Sequence, residues 1–248
     1  MPKPRSLQPE RENNLTFFDH LEELRKRILI ILFFFGATWL LLFAFFNQFS
    51  LFQLFTAPLL RIKQNLFFQN LLEPFMVRMK ISFVIGLILN IPVILFHLLK
   101  FIFPALRREE KNVLLSLMFL IVLLFFTGVF FAYKVMLPYS ISFLIRFAGR
   151  DIKPLINLKE YINLYLGIMI ATGMAFLFPV LILFLNRLKL VTYHILWKRL
   201  PEAVIVILVM AAVLTPPDVF SQILLTIPLF LLYFLSIGLA YLFRVPKA

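Results

Sequence analysis

The stretch LTPPDVFSQ (214–222) separates two apolar runs, AVIVILVMAAVL (203–214) and ILLTIPLFLLYFLSIGLAYLF (223–243). Pro216 and Pro217 are predicted to end the first run as a helix, because proline lacks the backbone donor and restricts the residue before it. That run has about 12 apolar residues, which give about 18 Å of helix against a hydrocarbon core of about 30 Å. We therefore expect a short helix that ends in a polar turn, covered by protein or water because lipid cannot satisfy its backbone.

The composition is that of an integral membrane protein. Of the 248 residues, 62% are hydrophobic, and the mean hydropathy is +0.96, whereas soluble domains are about 45–50% apolar. The long apolar runs do not alternate, which predicts spanning helices and not barrel strands. The chain has no cysteine, which excludes disulfides, thiolate metal sites and a cysteine nucleophile. A polar N-terminus leads into a charged helix, so we expect no cleavable signal peptide.

Hydropathy predicts an all-α membrane domain covering residues 1–248, with a tail and interfacial helix at 1–27. The six predicted spans are 28–47, 81–99, 113–133, 162–185, 203–214 and 223–243. Sixteen of the 25 Lys and Arg residues lie in the N-terminal tail, the 100–112 and 186–202 loops and the C-terminus. The positive-inside rule therefore predicts that both termini are cytoplasmic, or on the matrix side in a mitochondrion. The scattered basic residues indicate contact with the lipid bilayer and no nucleic-acid partner.

Two charged stretches fall on the predicted cytoplasmic side, TFFDHLEELRKRI (16–28) and FIFPALRREEKN (101–112). In the first, Glu22/Lys26 and Glu23/Arg27 stand at i,i+4, as in an interfacial amphipathic helix whose charges pair with one another. In the second, Glu110 belongs to a mixed-charge cluster that a solubilising turn would also explain. The alternative is that Glu23 and Glu110 bracket one cationic ligand, and guanidinium is the natural one because its fork matches a carboxylate.

The acidic residues are few, and their positions limit the possible functions. None of the twelve lies within the first four predicted spans or the sixth. Proton-coupled carriers usually need titratable groups inside the bundle, and membrane enzymes need clustered His, Asp or Glu. The positions of the acids therefore count against a secondary transporter of a small solute, which is the alternative function. We expect no enzyme activity, metal or cofactor.

Several motifs together resemble the TatC family, the core subunit of the twin-arginine, or Sec-independent, protein translocase. They are HLEELRKRI (20–28), TAPLL (56–60), EPF (73–75) followed by Lys80, IPVILF (91–96), FIFPALRREEK (101–111) and LTPPDVFSQ running into LLTIPL (214–229). The resemblance implies six transmembrane helices in a curved, glove-like bundle with short fifth and sixth helices. It also implies a protein that binds twin-arginine signal peptides and moves folded proteins across a membrane energised by the proton motive force.

The resemblance also assigns roles to individual residues. Glu23 and Glu110 fall on the acids that hold the paired arginines of the signal peptide. Arg25, Phe101 and Pro104 belong to the same two motifs.

Other residues are assigned to partner docking and to loop structure. Thr215, Asp218 and Gln222 lie in the polar turn, where single-span subunits of the TatA and TatB type are expected to dock. Pro58, Pro216 and Pro217 are expected to shape loops. The implied complex also includes self-association of the chain.

Two positions depart from the family pattern. Leu177 and Phe234 stand where many members have an intramembrane glutamate in the fourth and sixth spans. We therefore expect a less polar concave face and a greater role for Gln222 and Thr215. The form of LTPPDVFSQ resembles bacterial and mitochondrial members alike, and the high Phe content does not separate the two. We expect a bacterial cytoplasmic membrane, with an organelle-encoded protein of the mitochondrial inner membrane as the alternative.

Overall fold

The structure, a computed structural model, describes residues 17–61, 65–102, 108–147, 149, 154–187 and 191–242. Within these ranges the chain is mostly helical, and five helical segments are long and apolar enough to cross a membrane. A sixth apolar helix, Leu200–Leu214, is shorter. The all-α multi-pass prediction is therefore confirmed. The sixth crossing, the glove-like shape and the orientation stay predictions.

The first helix is longer than the predicted span. Helix α1 (Phe17–Ala44) has 28 residues, so the predicted interfacial helix and the first span form one continuous helix of about 42 Å. No proline or glycine interrupts the junction near residue 28, which explains the continuity. Because the hydrocarbon core is about 30 Å thick, the charged first turns extend beyond it.

The second long helix packs antiparallel against the first. Helix α3 (Glu73–Ile102) runs beside α1, with Phe83 edge-on to Trp39 at 5.7 Å between ring centroids. Near the other end of α1, Arg78 donates from Nη2 to the Phe43 carbonyl oxygen at 2.9 Å. The N-terminus of α1 and the C-terminus of α3 therefore share one end of the bundle, here called the N-terminal end.

The third and fourth spans differ from the sequence prediction. Helix α4 (Arg108–Phe131) continues through a π-helical turn, Ala132–Met136, into helix α5 (Leu137–Phe147), well past the predicted end at 133. The fourth span consists of two helices, α6 (Leu158–Ala175) and α7 (Phe178–Arg187). The break precedes Pro179, which cannot donate to the helical ladder and is tolerated at the start of α7.

The helices at the fifth and sixth predicted spans meet at the polar turn that the two prolines predicted. A short helix α8 (Tyr193–Lys198) precedes helix α9 (Leu200–Leu214), which ends two residues before Pro216, as predicted. Helix α10 (Val219–Leu242) has 24 residues, so the expectation of a short sixth helix is wrong. Pro228 lies inside α10 without ending it.

Two regions that read as loops in the sequence contain further structure. Helix α2 (Leu51–Arg61) encloses Pro58, so the prediction of a loop proline there is wrong. The helix forms because three of its residues at helical spacing, Leu51, Phe55 and Leu59, bury one face in the core. Strands β1 (Leu66–Phe67) and β2 (Ile156–Asn157) pair in parallel and join the two connections at the end of the bundle opposite to the N-terminal end.

Helices α4 and α6 pack closely through small residues. A Cβ atom on Gly128 would lie 2.8 Å from the Thr172 carbonyl oxygen, and one on Gly173 would lie 2.9 Å from Phe125 and from Val129. Such small residues let helix backbones approach in a membrane, where no hydrophobic force drives helices together. This contact places α6 at the centre of the core, with Tyr165 fully buried.

Candidate functional site

The first predicted acid lies on α1 and already holds a guanidinium. Arg27 Nε donates to Glu23 Oε1 at 3.1 Å, and Arg27 Nη2 contacts the same oxygen. The Glu23 side chain is 27% exposed and that of Arg27 only 13%. By contrast, the neighbouring pair Glu22 and Lys26, at 2.8 Å, is 62% and 70% exposed. The predicted i,i+4 pairs are confirmed, and the Glu23 pair is the more shielded from water.

The other predicted signal-binding residues are only partly described. Arg25 is exposed on α1, and Phe101 is half-buried in the last turn of α3. Glu110 is the third residue of α4, but its side chain lies outside the described part of the structure, as does all of Pro104. Grouping of Glu23 with Glu110 therefore stays a prediction.

The polar turn between α9 and α10 has a defined network of hydrogen bonds. Thr215 is buried, and its Oγ1 donates to the Ala211 carbonyl oxygen at 2.8 Å. Asp218 Oδ1 accepts from the Ser221 backbone N–H at 2.7 Å, which caps the start of α10. Gln222 Nε2 donates to the Leu208 carbonyl oxygen at 3.1 Å and so ties α10 to α9. Pro216 is half-buried, and Pro217 is exposed.

Two polar atoms in this turn are buried without a hydrogen-bond partner in the described structure. They are the second carboxylate oxygen, Asp218 Oδ2, and the Ser221 hydroxyl. A buried acceptor without a partner costs about 1–3 kcal/mol. The turn therefore contains an unsatisfied carboxylate oxygen and hydroxyl among its described residues.

The surface beside the turn is apolar and open. On α9 the side chains of Ile205, Val206, Val209 and Val213 are exposed, although α9 is one of the most apolar helices in the chain. Phe234, at one of the two departures from the family pattern, is 45% exposed on α10. Leu177, at the other, is half-buried against the core at the break between α6 and α7. Both positions are apolar here, as the sequence indicated.

The sequence analysis assigned no role to Glu73, which joins two parts of the chain at the end of the bundle opposite to the N-terminal end. Glu73 is buried at the start of α3, where Oε1 accepts from the Lys159 backbone N–H at 2.8 Å and Oε2 from that of Gln69 at 3.1 Å. The Glu73 carboxylate thus joins the connection before α3 to the first turn of α6, and Lys159 lies 86 residues further along the chain. Glu73 belongs to the EPF motif, but no neighbouring residue in the sequence indicates its distant partner. Within the described ranges, no three His, Asp or Glu side chains cluster as metal ligands would.

The comparisons with known proteins agree on one family. The family described as Sec-independent protein translocase protein (TatC) matches residues 19–228. The TatC protein of Carboxydothermus hydrogenoformans is 34% identical over 91% of this chain and 93% of its own length. TatC of Rickettsia prowazekii is 34% identical over 94% and 95% of the two chains.

A solved structure agrees with these relatives. A crystal structure of the twin-arginine translocase receptor TatC in DDM superposes with a TM-score of 0.74 at 32% identity, covering 89% of this chain and 99% of that chain. The resemblance read from the motifs is therefore confirmed along most of the sequence. The chain belongs to the TatC family of Sec-independent protein translocase proteins.

Proposed function

We propose that this protein is a receptor for twin-arginine signal peptides and the core of a translocase that moves folded proteins across an energised membrane. Membership of the TatC family supports a role in protein transport, and a solved relative is named as the twin-arginine translocase receptor. The observation that carries the receptor role is the ion pair on α1. Glu23 holds a guanidinium in a shielded position, which is the interaction that an arginine of the signal peptide would make.

In this proposal Glu23 and Glu110 each bind one arginine of the signal peptide. Arg25, Phe101 and Pro104 are proposed to contribute to the same binding site. A hydrogen bond to a charged group contributes about 1.5–3 kcal/mol, less after screening by salt. Two acids acting together therefore give a specific site, whereas either one alone gives weak binding.

The turn between α9 and α10 is proposed as the docking site for single-span subunits of the TatA and TatB type. Asp218 Oδ2 is buried without a partner in the described structure, and a polar residue of the docked helix would satisfy it if docking opens the turn. Thr215 and Gln222 line the same turn, and the exposed apolar side chains of α9 provide the surrounding contact. Interhelical hydrogen bonds in membranes contribute about 0.6 kcal/mol on average, so the apolar contact must supply most of the affinity.

The proposed location is the bacterial cytoplasmic membrane, with both termini on the cytoplasmic side. The relatives in bacteria support this location, and the mitochondrial inner membrane is the alternative. The complex is expected to contain more than one copy of the chain. A secondary transporter is not favoured, because the family is one of protein translocases.

The test is export of a folded reporter in cells whose own gene for this protein has been replaced by a variant. Glu110→Ala is expected to abolish export of the twin-arginine reporter while leaving the protein folded and inserted. Glu202→Ala is the matched control, because it removes another acid on the predicted cytoplasmic side, one that pairs with Arg199 at 2.8 Å and not with the proposed ligand. Normal export by Glu110→Ala, or equal loss in the control, contradicts the proposed site.

A further inference from the structure

A cavity at the end opposite to the N-terminal end is unrelated to the proposed receptor and docking sites. It has a volume of about 460 Å³ and lies between α1, α3 and α6. Its lining includes Trp39 from α1, Met76, Lys80 and Phe83 from α3, and Lys159 and Asn163 from α6. The walls are thus mostly apolar, and two lysines are among the lining residues.

The two lysines that line this cavity form no ion pair in the described structure. Lys80 Nζ donates to the amide oxygen of Asn163 at 2.5 Å, which is a neutral partner. In the described structure neither Lys80 nor Lys159 has a carboxylate oxygen within 4 Å of its amine. Two acids, Glu73 and Glu160, line an adjacent cavity that also includes Lys159 and Asn163, and neither acid lines this one. Glu73 is already engaged by two backbone donors.

The depth of the cavity indicates which anion it accepts. Lys80 lies seven residues into α3, about 10 Å from the start of that helix. Trp39 lines the same cavity from α1, and tryptophan is enriched at the level of the lipid headgroups. Met76 and Phe83 are exposed beside the amines. Cationic groups next to exposed apolar side chains at the membrane interface match a phosphate joined to acyl chains.

We propose that this cavity binds an anionic phospholipid. The lipid phosphate lies against the amines of Lys80 and Lys159, with Asn163 holding Lys80 in place. An acyl chain covers Met76 and Phe83. The lipid thereby neutralises the two charges where the connections to α3 and α6 meet.

Quenching of Trp39 fluorescence by brominated lipid tests this directly. The chain has two tryptophans, and the second, Trp197, is exposed on α8, so Trp197→Phe leaves Trp39 as the reporter. The Trp197→Phe variant is reconstituted with brominated phosphatidylglycerol or brominated phosphatidylcholine, each diluted into unbrominated phosphatidylcholine. At about fivefold per lysine, the preference for phosphatidylglycerol at Trp39 is expected to be roughly 5- to 25-fold.

Two variants and one competitor complete the test. Lys80→Gln with Lys159→Gln is expected to bring the preference close to one, and Lys134→Gln, a lysine that does not line this cavity, to leave it unchanged. If the double variant does not fold, Lys159→Gln alone is expected to lower the preference about fivefold. Equal quenching by both lipids in the parent, or no loss in the variants, overturns the proposal. Displacement of the lipid by millimolar inorganic phosphate overturns it in favour of a free-ion site.

Discussion

Removal of Arg27 is predicted to strengthen binding of a twin-arginine peptide. In the structure Arg27 occupies Glu23, so an incoming arginine must displace it or share the carboxylate. Exposed i,i+4 pairs are worth about 0.3–0.5 kcal/mol, and this pair is more shielded, so we take about 0.5–1 kcal/mol. In Arg27→Gln the peptide no longer has to break this ion pair, so its affinity is expected to rise about two- to fivefold.

The matched control is Lys26→Gln. It removes the same charge from the same turn of α1, but Lys26 pairs with Glu22 and not with Glu23. Any general gain from lowering the positive charge near a cationic peptide therefore appears in both variants. The assay is titration of a fluorescent twin-arginine peptide against protein in lipid nanodiscs at constant ionic strength. Equal affinities for the two variants, or weaker binding by Arg27→Gln, would refute the reasoning that Glu23 is the arginine acceptor.

Three further predictions concern packing and the connections. Gly128→Ala is expected to lower the free energy of unfolding by about 1–3 kcal/mol, because the added methyl group overpacks the contact with α6. Gly167→Ala is the control in the same melting experiment and is expected to be neutral or slightly stabilising, because Gly167 has open space around it. Glu73→Ala removes the charged acceptor of two backbone donors and is expected to lower the free energy of unfolding by about 2–4 kcal/mol. Thermal unfolding in detergent measures this change, and an unchanged melting temperature would contradict the role of Glu73. Gln222→Leu loses the hydrogen bond to the Leu208 carbonyl oxygen, which is expected to lower the free energy of unfolding by only about 0.6 kcal/mol. Crosslinking to a single-span partner is expected to fall clearly, and unchanged crosslinking would argue against docking at this turn.

Local sequence signals predicted those parts of the fold that depend on neighbouring residues. Pro216 and Pro217 placed the end of α9 within two residues, because proline acts on the backbone directly. The pair of Glu23 with Arg27 followed from helical spacing alone. The apolar runs predicted the spanning helices for the same reason.

The features that were missed depend on contacts between distant parts of the chain. Helix α2 and the β1–β2 pair form where loops were expected, because packing against the bundle stabilises them. The carboxylate of Glu73 finds its partner 86 residues away, and no local pattern encodes that contact. The break at Phe176 and Leu177 was also missed, although Pro179 gave a signal for it. For the candidate site, the sequence identified Glu23, but the shielding of its pair required the structure.

Site-specific photocrosslinking in native membranes tests the receptor function most directly. A photoreactive residue replaces Phe101, which leaves Glu23 and Glu110 in place. Membranes are then exposed to a peptide with consecutive arginines in the presence of excess unlabelled peptide or its double-lysine twin. We predict a crosslink to the arginine peptide that unlabelled arginine peptide removes and the lysine twin does not. Equal competition by both peptides, or no crosslink at all, would contradict the account, because Glu110 and Glu23 would then be ordinary surface charges.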